Sequence, residues 1–281
     1  MVQKGSHVAA IYDVHGNLPA LQTVLAELES VNPDLIVVGG DVVAGPMPAE
    51  VLDRLAALSE SVCFVRGNAD REVLAAYDGR YTDATDAAEP AERAAAFAAS
   101  NIDRAQRDLL ASLAERLVVE VEGVGQVLFC HGSPRSDEEI VTAATTEGRL
   151  REILAEVDQD LVVCGHTHAQ FDRRVDAKRV INAGSVGMPY QGKPVGAFWL
   201  LLGAGGVCLR RSDYDLDRAL SAGLGEEREN REGLARPRHP LSSLLKNPRF
   251  LCRSRPRFPQ LLKAAVNVVV ADEQFLDDPR A

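Results

Sequence analysis

Five short apolar runs in this chain stop in the same way, with a glycine and one or two side chains able to bind a metal. They are IYDVHGN (Asp13, His15), VVGGDVV (Asp41), FVRGNAD (Asn68, Asp70), LFCHGSP (His131) and VVCGHTH (His166, His168). Nearly continuous apolar runs of this length read as strands covered on both faces, and HVAAIY, DLIVVGG, SVCFVRG, GQVLFC, DLVVCG, KRVINAG, GAFWLLL and GVCLRR all qualify. Between the first of them lie helical patterns: Leu21, Val24, Leu25 and Leu28 follow Asn17, a cap residue, and Val51, Leu52, Leu55 and Leu58 follow Pro48. Strand, helix, strand, helix, strand predicts right-handed parallel units and an α/β fold. Ligands of such folds bind just outside the carboxyl ends of the strands, which is where these polar clusters fall.

A chain of 281 residues, 46% apolar and 26% charged, has the make-up of a globular protein with one large domain or two ordinary ones. Its longest apolar stretches, such as AFWLLLGAGGVCL, fall short of the roughly 18 residues of a membrane span. The run VAAIY near the amino terminus leads straight into a polar motif rather than a cleavage site, so the expected setting is the cytoplasm, away from membranes. Cys63, Cys130, Cys164, Cys208 and Cys252 stand singly, which indicates neither a disulfide framework nor a thiolate zinc site but small buried hydrophobes.

Charge divides the chain. Residues 1–215 carry 19 basic and 32 acidic side chains, whereas residues 216–281 carry 12 and 9. Nine of those basic groups lie between Arg231 and Lys263, among Pro237, Pro240, Pro248, Pro256 and Pro259. A boundary near residue 216 follows, with a domain over 1–216 and a basic, Pro-rich extension over 217–281 that is expected to be partly disordered. Within the domain, the Ala- and charge-rich stretch 71–117 reads as two helices inserted over one edge of the sheet. The net charge of -10 disfavours general nucleic-acid binding, and nothing in the sequence fixes an oligomeric state.

Four of the six histidines share the strand-end position with Asp13 and Asp41. Any one of them alone reads equally well as a satisfied structural histidine. Together, imidazole, carboxylate and amide groups without thiolate suit manganese, iron, nickel, cobalt or zinc. Seven such ligands exceed one tetrahedral site and suit two ions sharing a carboxylate. Two ions roughly 3.5–4 Å apart form the clamp of phosphatases and nucleases. Two divalent ions, two aspartates and a hydroxide leave a charge of about +1 in the cleft, which attracts anionic phosphate.

The ordered set D-x-H, G-D, G-N, H-G and G-H-x-H, spread over residues 6–216, resembles the calcineurin-like metallophosphoesterase superfamily. DVHGNLPAL, CGHTH and INAGSVGMP look closest to its small bacterial and archaeal phosphodiesterase branch. The resemblance implies a four-layer α/β/β/α sandwich with 71–117 as a helical insertion. It implies two divalent ions, manganese favoured, with Asp13, His15 and His168 on the first, Asn68, His131 and His166 on the second, and Asp41 bridging both. It further implies hydrolysis of a small phosphodiester or nucleotide-like substrate by a metal-bridging hydroxide attacking phosphorus in line. Asn17, Ser133, Ser185 and Asn182 lie in loops that approach substrate in this family. Asn17 reads equally as a helix cap, and Arg66 reads better as a surface ion pair than as a phosphate contact.

Three positions depart from the family pattern. In many members the residue after the Gly-Asn pair is a histidine assigned to leaving-group protonation, and here it is Ala69, which has no proton to give. A positioned acid is worth roughly 10²- to 10⁴-fold, so readily departing leaving groups are the expected targets. Asp70 stands next in line as a substitute acid, or as a structural acceptor within the loop. Ala183 occupies a position where proline is common, and the extension has no counterpart. Two other readings use the same fold: a protein-interaction scaffold with a degraded metal site, as in a retromer subunit, and a nuclease. The complete ligand set disfavours the first, and only the basic extension speaks for the second.

Overall fold

The computed structural model describes residues 3–58, 61–80, 89–191 and 196–214; the expected basic extension lies outside them. The strands in chain order are β1 (Gln3–Gly5), β2 (His7–Ile11), β3 (Leu35–Val38), β4 (Val62–Phe64), β5 (Arg116–Val121) and β6 (Gly125–Cys130). They continue with β7 (Leu161–Cys164), β8 (Phe171–Val175), β9 (Lys178–Asn182), β10 (Ala197–Gly203) and β11 (Gly206–Ser212). The helices are α1 (Leu18–Val31), α2 (Pro48–Ala56), α3 (Asn68–Ala75), α4 (Pro90–Asn101), α5 (Arg104–Ala111) and α6 (Glu147–Leu154).

Two mixed sheets result, one ordered β11-β10-β2-β3-β4 and the other β1-β5-β6-β7-β9-β8. β2, β3 and β4 run parallel, as the strand-helix alternation predicts, with Ile11 opposite Val38 and Val38 opposite Phe64. β6, β7 and β9 form the parallel centre of the other sheet. Alternation along each strand explains why the apolar runs are continuous. Val8, Ala10 and Tyr12 point from β2 and its end into a seam shared with Val119, Phe129, Val163 and Ile181 of the facing sheet. Ala9 and Ile11 point the other way, toward Leu21, Val24, Leu52 and Leu55 of the helices. Leu128, Val162 and Val180 meet Leu150, Ile153 and Leu154 of α6 on the far side. Three apolar clusters between four layers give the expected α/β/β/α sandwich. Each fully buried Val or Leu contributes about 1.5–3 kcal/mol, which makes the middle seam the element that holds the sheets in a fixed relation.

The helix ends follow local chemistry. Asn17 Oδ1 accepts the Ala20 amide at 3.1 Å to cap α1, and Asn32 closes it with a left-handed φ of 50°. The insertion holds more helix than two segments, because α3 already begins at Asn68, and Arg116 and Leu117 belong to β5. Asp103 and Gln106 form a reciprocal cap on α5, and Gln106 Nε2 donates to Ala49 O and Asp53 Oδ1. Ala95, Ala98 and Leu110 thereby join the cluster that covers the helix side of β3 and β4. Four elements carry no sequence signal of the kind described above: β1, β5, β8 and α6. β8 is an edge strand whose exposed positions hold Asp172 and Arg174, the usual protection of an open edge.

Candidate metal centre

Every proposed ligand sits just past a parallel strand: Asp13 and His15 after β2, Asp41 after β3, Asn68 after β4, His131 after β6, and His166 and His168 after β7. The loops are stitched across the two sheets. Val186 and Gly187 donate their amides to Tyr12 O and Asp13 O at 2.9 and 3.0 Å, and His15 N donates to Asp41 O at 2.9 Å. Five of the seven non-glycine residues with positive φ among the described residues are Asp13, His15, Asp41, His166 and His168. Left-handed backbone is costly for such side chains and concentrates where surrounding structure enforces it, commonly at functional sites. Gly67 serves the same crowding: a Cβ there would lie 2.1 Å from Asp41 Oδ1.

The histidines are oriented by backbone oxygens. Nδ1 lies 3.2 Å from Ala44 O in His15, 2.9 Å from Gly39 O in His131 and 2.6 Å from Met188 O in His168. A carbonyl only accepts, so each Nδ1 keeps its proton and each Nε2 is turned inward. The Nε2 atoms of His15 and His168 meet at 3.2 Å, and His131 Nε2 lies 3.1 Å from Asn68 Oδ1. Asp41 Oδ2 stands 3.4 Å from His131 Nε2 and 3.7 Å from His15 Nε2, while its Oδ1 accepts the Ala69 amide at 2.8 Å. Asp13 Oδ2 accepts the His166 amide at 3.0 Å, but its buried Oδ1 has no hydrogen-bond partner; His168 Nε2 is 3.4 Å away. Two groups, Asp13–His15–Asp41–His168 and Asp41–His131–His166, each bring their ligand atoms within 4.8 Å of one another and share Asp41.

Lone pairs outnumber protons in this buried cluster, and the titration behaviour records it. Burial disfavours the charge on His131, yet Asp41 and Asp13 overcome that and push it up to about 10. His168 is likewise raised, against its burial, by Asp13. Burial and the neighbouring imidazoles lower His15 and His166. Burial works against ionisation of Asp13 and Asp41 too, but the histidines hold both carboxyls below the usual range. The attraction between these carboxylates and imidazoles marks a position of the kind that a divalent cation fits. The unpartnered Asp13 oxygen and the thiolate-free N/O donor set fit such an ion well.

The surrounding polar residues all bond to the scaffold. Asp70 is fully buried and accepts amides of Asp41, Val42 and Gly67 at 2.9, 2.8 and 3.1 Å, so it holds the Asp41 loop. Burial and Asp41 push its carboxyl up to about 7 despite those donors. Ser185 Oγ donates to Asp13 O and accepts Met188 N, both at 2.8 Å. Asn182 Nδ2 donates to Gly165 O and to Thr167 Oγ1, which fixes the turn carrying His166 and His168. Asn17 Nδ2 donates to Gly187 O at 2.9 Å in addition to its capping bond. Ser133 Oγ donates to Glu139 at 2.6 Å, and Arg66 pairs with Glu115 at 2.8 Å. Ala183 N donates to Cys164 O at 2.9 Å, a bond that proline cannot make. Sequence reasoning missed the three orienting carbonyls of Gly39, Ala44 and Met188, because a backbone oxygen has no residue signature. Cys130 and Cys164 are buried as expected, whereas Cys208 on β11 is exposed.

A four-layer sandwich with clustered aspartates and histidines at the ends of its parallel strands defines a metal-binding hydrolase of the phosphoesterase class. The chain belongs to the calcineurin-like phosphoesterase superfamily, whose domain model matches residues 7–202. No curated protein matches the chain. Among solved structures it is similar to a metallophosphoesterase from Sphaerobacter thermophilus, with 26% identity and a TM-score of 0.61 over 79% of this chain and 94% of that one. It also resembles hypothetical protein PH1004 from Pyrococcus horikoshii OT3, with 19% identity and a TM-score of 0.68 over 79% of this chain and 93% of the other. No helix among the described residues is long and apolar enough to cross a membrane.

Proposed function

We propose that the domain over 1–216 is a dinuclear metal-dependent phosphoesterase, acting in the cytoplasm on small phosphodiester or nucleotide-like substrates. Asp13, His15 and His168 hold one divalent ion, Asn68, His131 and His166 hold the second, and Asp41 serves both. Manganese is the favoured metal. The observation that carries this reading is the buried Asp13 Oδ1, which has no hydrogen bond, in a cluster where His15, His131 and His168 turn Nε2 inward. Ions bound there supply Lewis-acid polarisation of a phosphoryl oxygen and activation of water near neutral pH.

The chain's own groups set the geometry. Backbone carbonyls present the Nε2 lone pairs, Asp70 fixes the loop bearing Asp41, and Ser185 fixes Asp13. Asn17 and Ser133 shape the adjoining loops at the edge of the substrate site. Ala69 offers only its amide, already used by Asp41 Oδ1, so the leaving group departs without a proton from this position. Aryl phosphodiesters and phosphoanhydrides are therefore the favoured substrates. The test is reconstitution of metal-free protein with single divalent ions, assayed on monoesters, diesters and dinucleotides beside Asp41→Asn. Turnover by the wild type and its loss in the variant, together with a lower metal content, is the expected outcome. Full activity in Asp41→Asn overturns the mechanism, and no turnover with any ion favours the scaffold alternative.

A further inference from the structure

We propose that Tyr190 is the stacking platform of this site, taking the heterocyclic base of the nucleoside that stays on phosphorus when the leaving group departs. The large apolar side chains exposed among the described residues are Ile140, Tyr190 and Leu209. Of these, Tyr190 lies against the ligand cluster: its ring centroid is 4.6 Å from that of His168, with 31° between the planes, while the residue stays 53% exposed.

The backbone that carries the ring is tied to the cluster. Tyr190 N donates to His168 O at 3.2 Å, and Met188 O, two residues earlier, accepts from His168 Nδ1 at 2.6 Å. Met188 is tied through Ser185 Oγ to Asp13 O. The aromatic face at the mouth of the site is thus held in register with a ligand carboxylate and a ligand imidazole. Such a surface stacks any base with little sequence preference, because every base has a π-face. Ala69 lies in the other half of the cluster, beside Asn68 and bonded to Asp41, where its small side chain leaves room for a departing group. Tyr190 accordingly serves the retained side of the ester.

The proposal rests on the phosphoesterase reading of the same site, and the experiment separates the two. Wild type, Tyr190→Ala and Tyr190→Phe are compared on thymidine 5′-(p-nitrophenyl) phosphate and methyl p-nitrophenyl phosphate, which share a leaving group. Tyr190→Ala is expected to raise KM for the thymidine ester roughly tenfold relative to the methyl ester, the scale of one base stack. Tyr190→Phe keeps wild-type values. An equal loss on both esters, or a fall in bound metal, shows that Tyr190 only steadies His168 and overturns the proposal. Calorimetric titration of the metal-loaded proteins with thymidine 5′-phosphate and methyl phosphate gives an answer independent of turnover. A preference for the nucleotide that vanishes in Tyr190→Ala supports the platform even where neither ester is hydrolysed, a result that sinks the phosphoesterase reading alone. Turnover without that preference sinks the platform alone.

Discussion

The strand-end cluster and the flank formed by α6 with β8 and β9 use the same kinds of charged side chain under opposite conditions. On the flank, Arg149 pairs with Glu139 and Glu152 at 2.7 and 2.8 Å, Arg151 with Asp176 and Glu147 at 2.9 and 3.1 Å, and Arg179 with Asp172 at 2.6 Å. Every one of these groups meets an opposite charge near water, where solvent screening leaves such pairs contributing little. In the cluster, Asp13, Asp41, His131 and His168 are all at most 4% exposed, and one carboxylate oxygen has no hydrogen bond. Burial of each ion there costs several kcal/mol, and mutual attraction offsets it only when the geometry is fully satisfied. Complete pairing marks the region that contributes little, and incomplete pairing marks the region proposed to carry the chemistry.

Three substitutions test that contrast beyond the loss expected for Asp41→Asn. Asp70→Ala strips the acceptor from the buried amides of Asp41, Val42 and Gly67 and is expected to destabilise the protein by at least ~3 kcal/mol. Urea unfolding measures it, and a near-neutral result would show that the loop is held by something else. Ala69→His restores an acid beside Asn68 and is expected to speed hydrolysis of alkyl leaving groups by about 10²-fold, with little change for p-nitrophenolate. A matching gain on both classes would dissociate the missing acid from leaving-group choice. Arg151→Ala removes two solvent-screened ion pairs from the flank and should change stability far less than Asp70→Ala in the same unfolding assay. A loss approaching that of Asp70→Ala would erase the distinction between the two regions.

Much of this was readable from residue order, for a physical reason. Strands buried on both faces leave continuous apolar runs, and a ligand loop must begin where such a run ends, so β2, β3, β6 and β7 announce both themselves and the side chains after them. β8 is silent because this edge strand, FDRRV, carries three charged residues in a row, and β5 because RLVVEV follows directly on a helical pattern. Within the site, side-chain types were legible and their wiring was not. The sequence pattern leaves Asp70 between two roles, and the structure spends both its oxygens on backbone amides. Asn17 and Ser185 bond to Gly187 O and Asp13 O from across the molecule, partners that no residue pattern announces.

The meeting of His15 with His168 also bears on how the protein matures. The two residues are 153 positions apart, and they approach only when both sheets have formed and closed on each other. On the proposed ligand assignment, a chain with one finished sheet has about half the set and no advantage in capturing a cation. An ion that binds the native state alone stabilises it by mass action, so the ion rewards only completed molecules. Under that assignment, metal content becomes an assay of folding: metal retained through dialysis is expected to report chains whose two halves have docked.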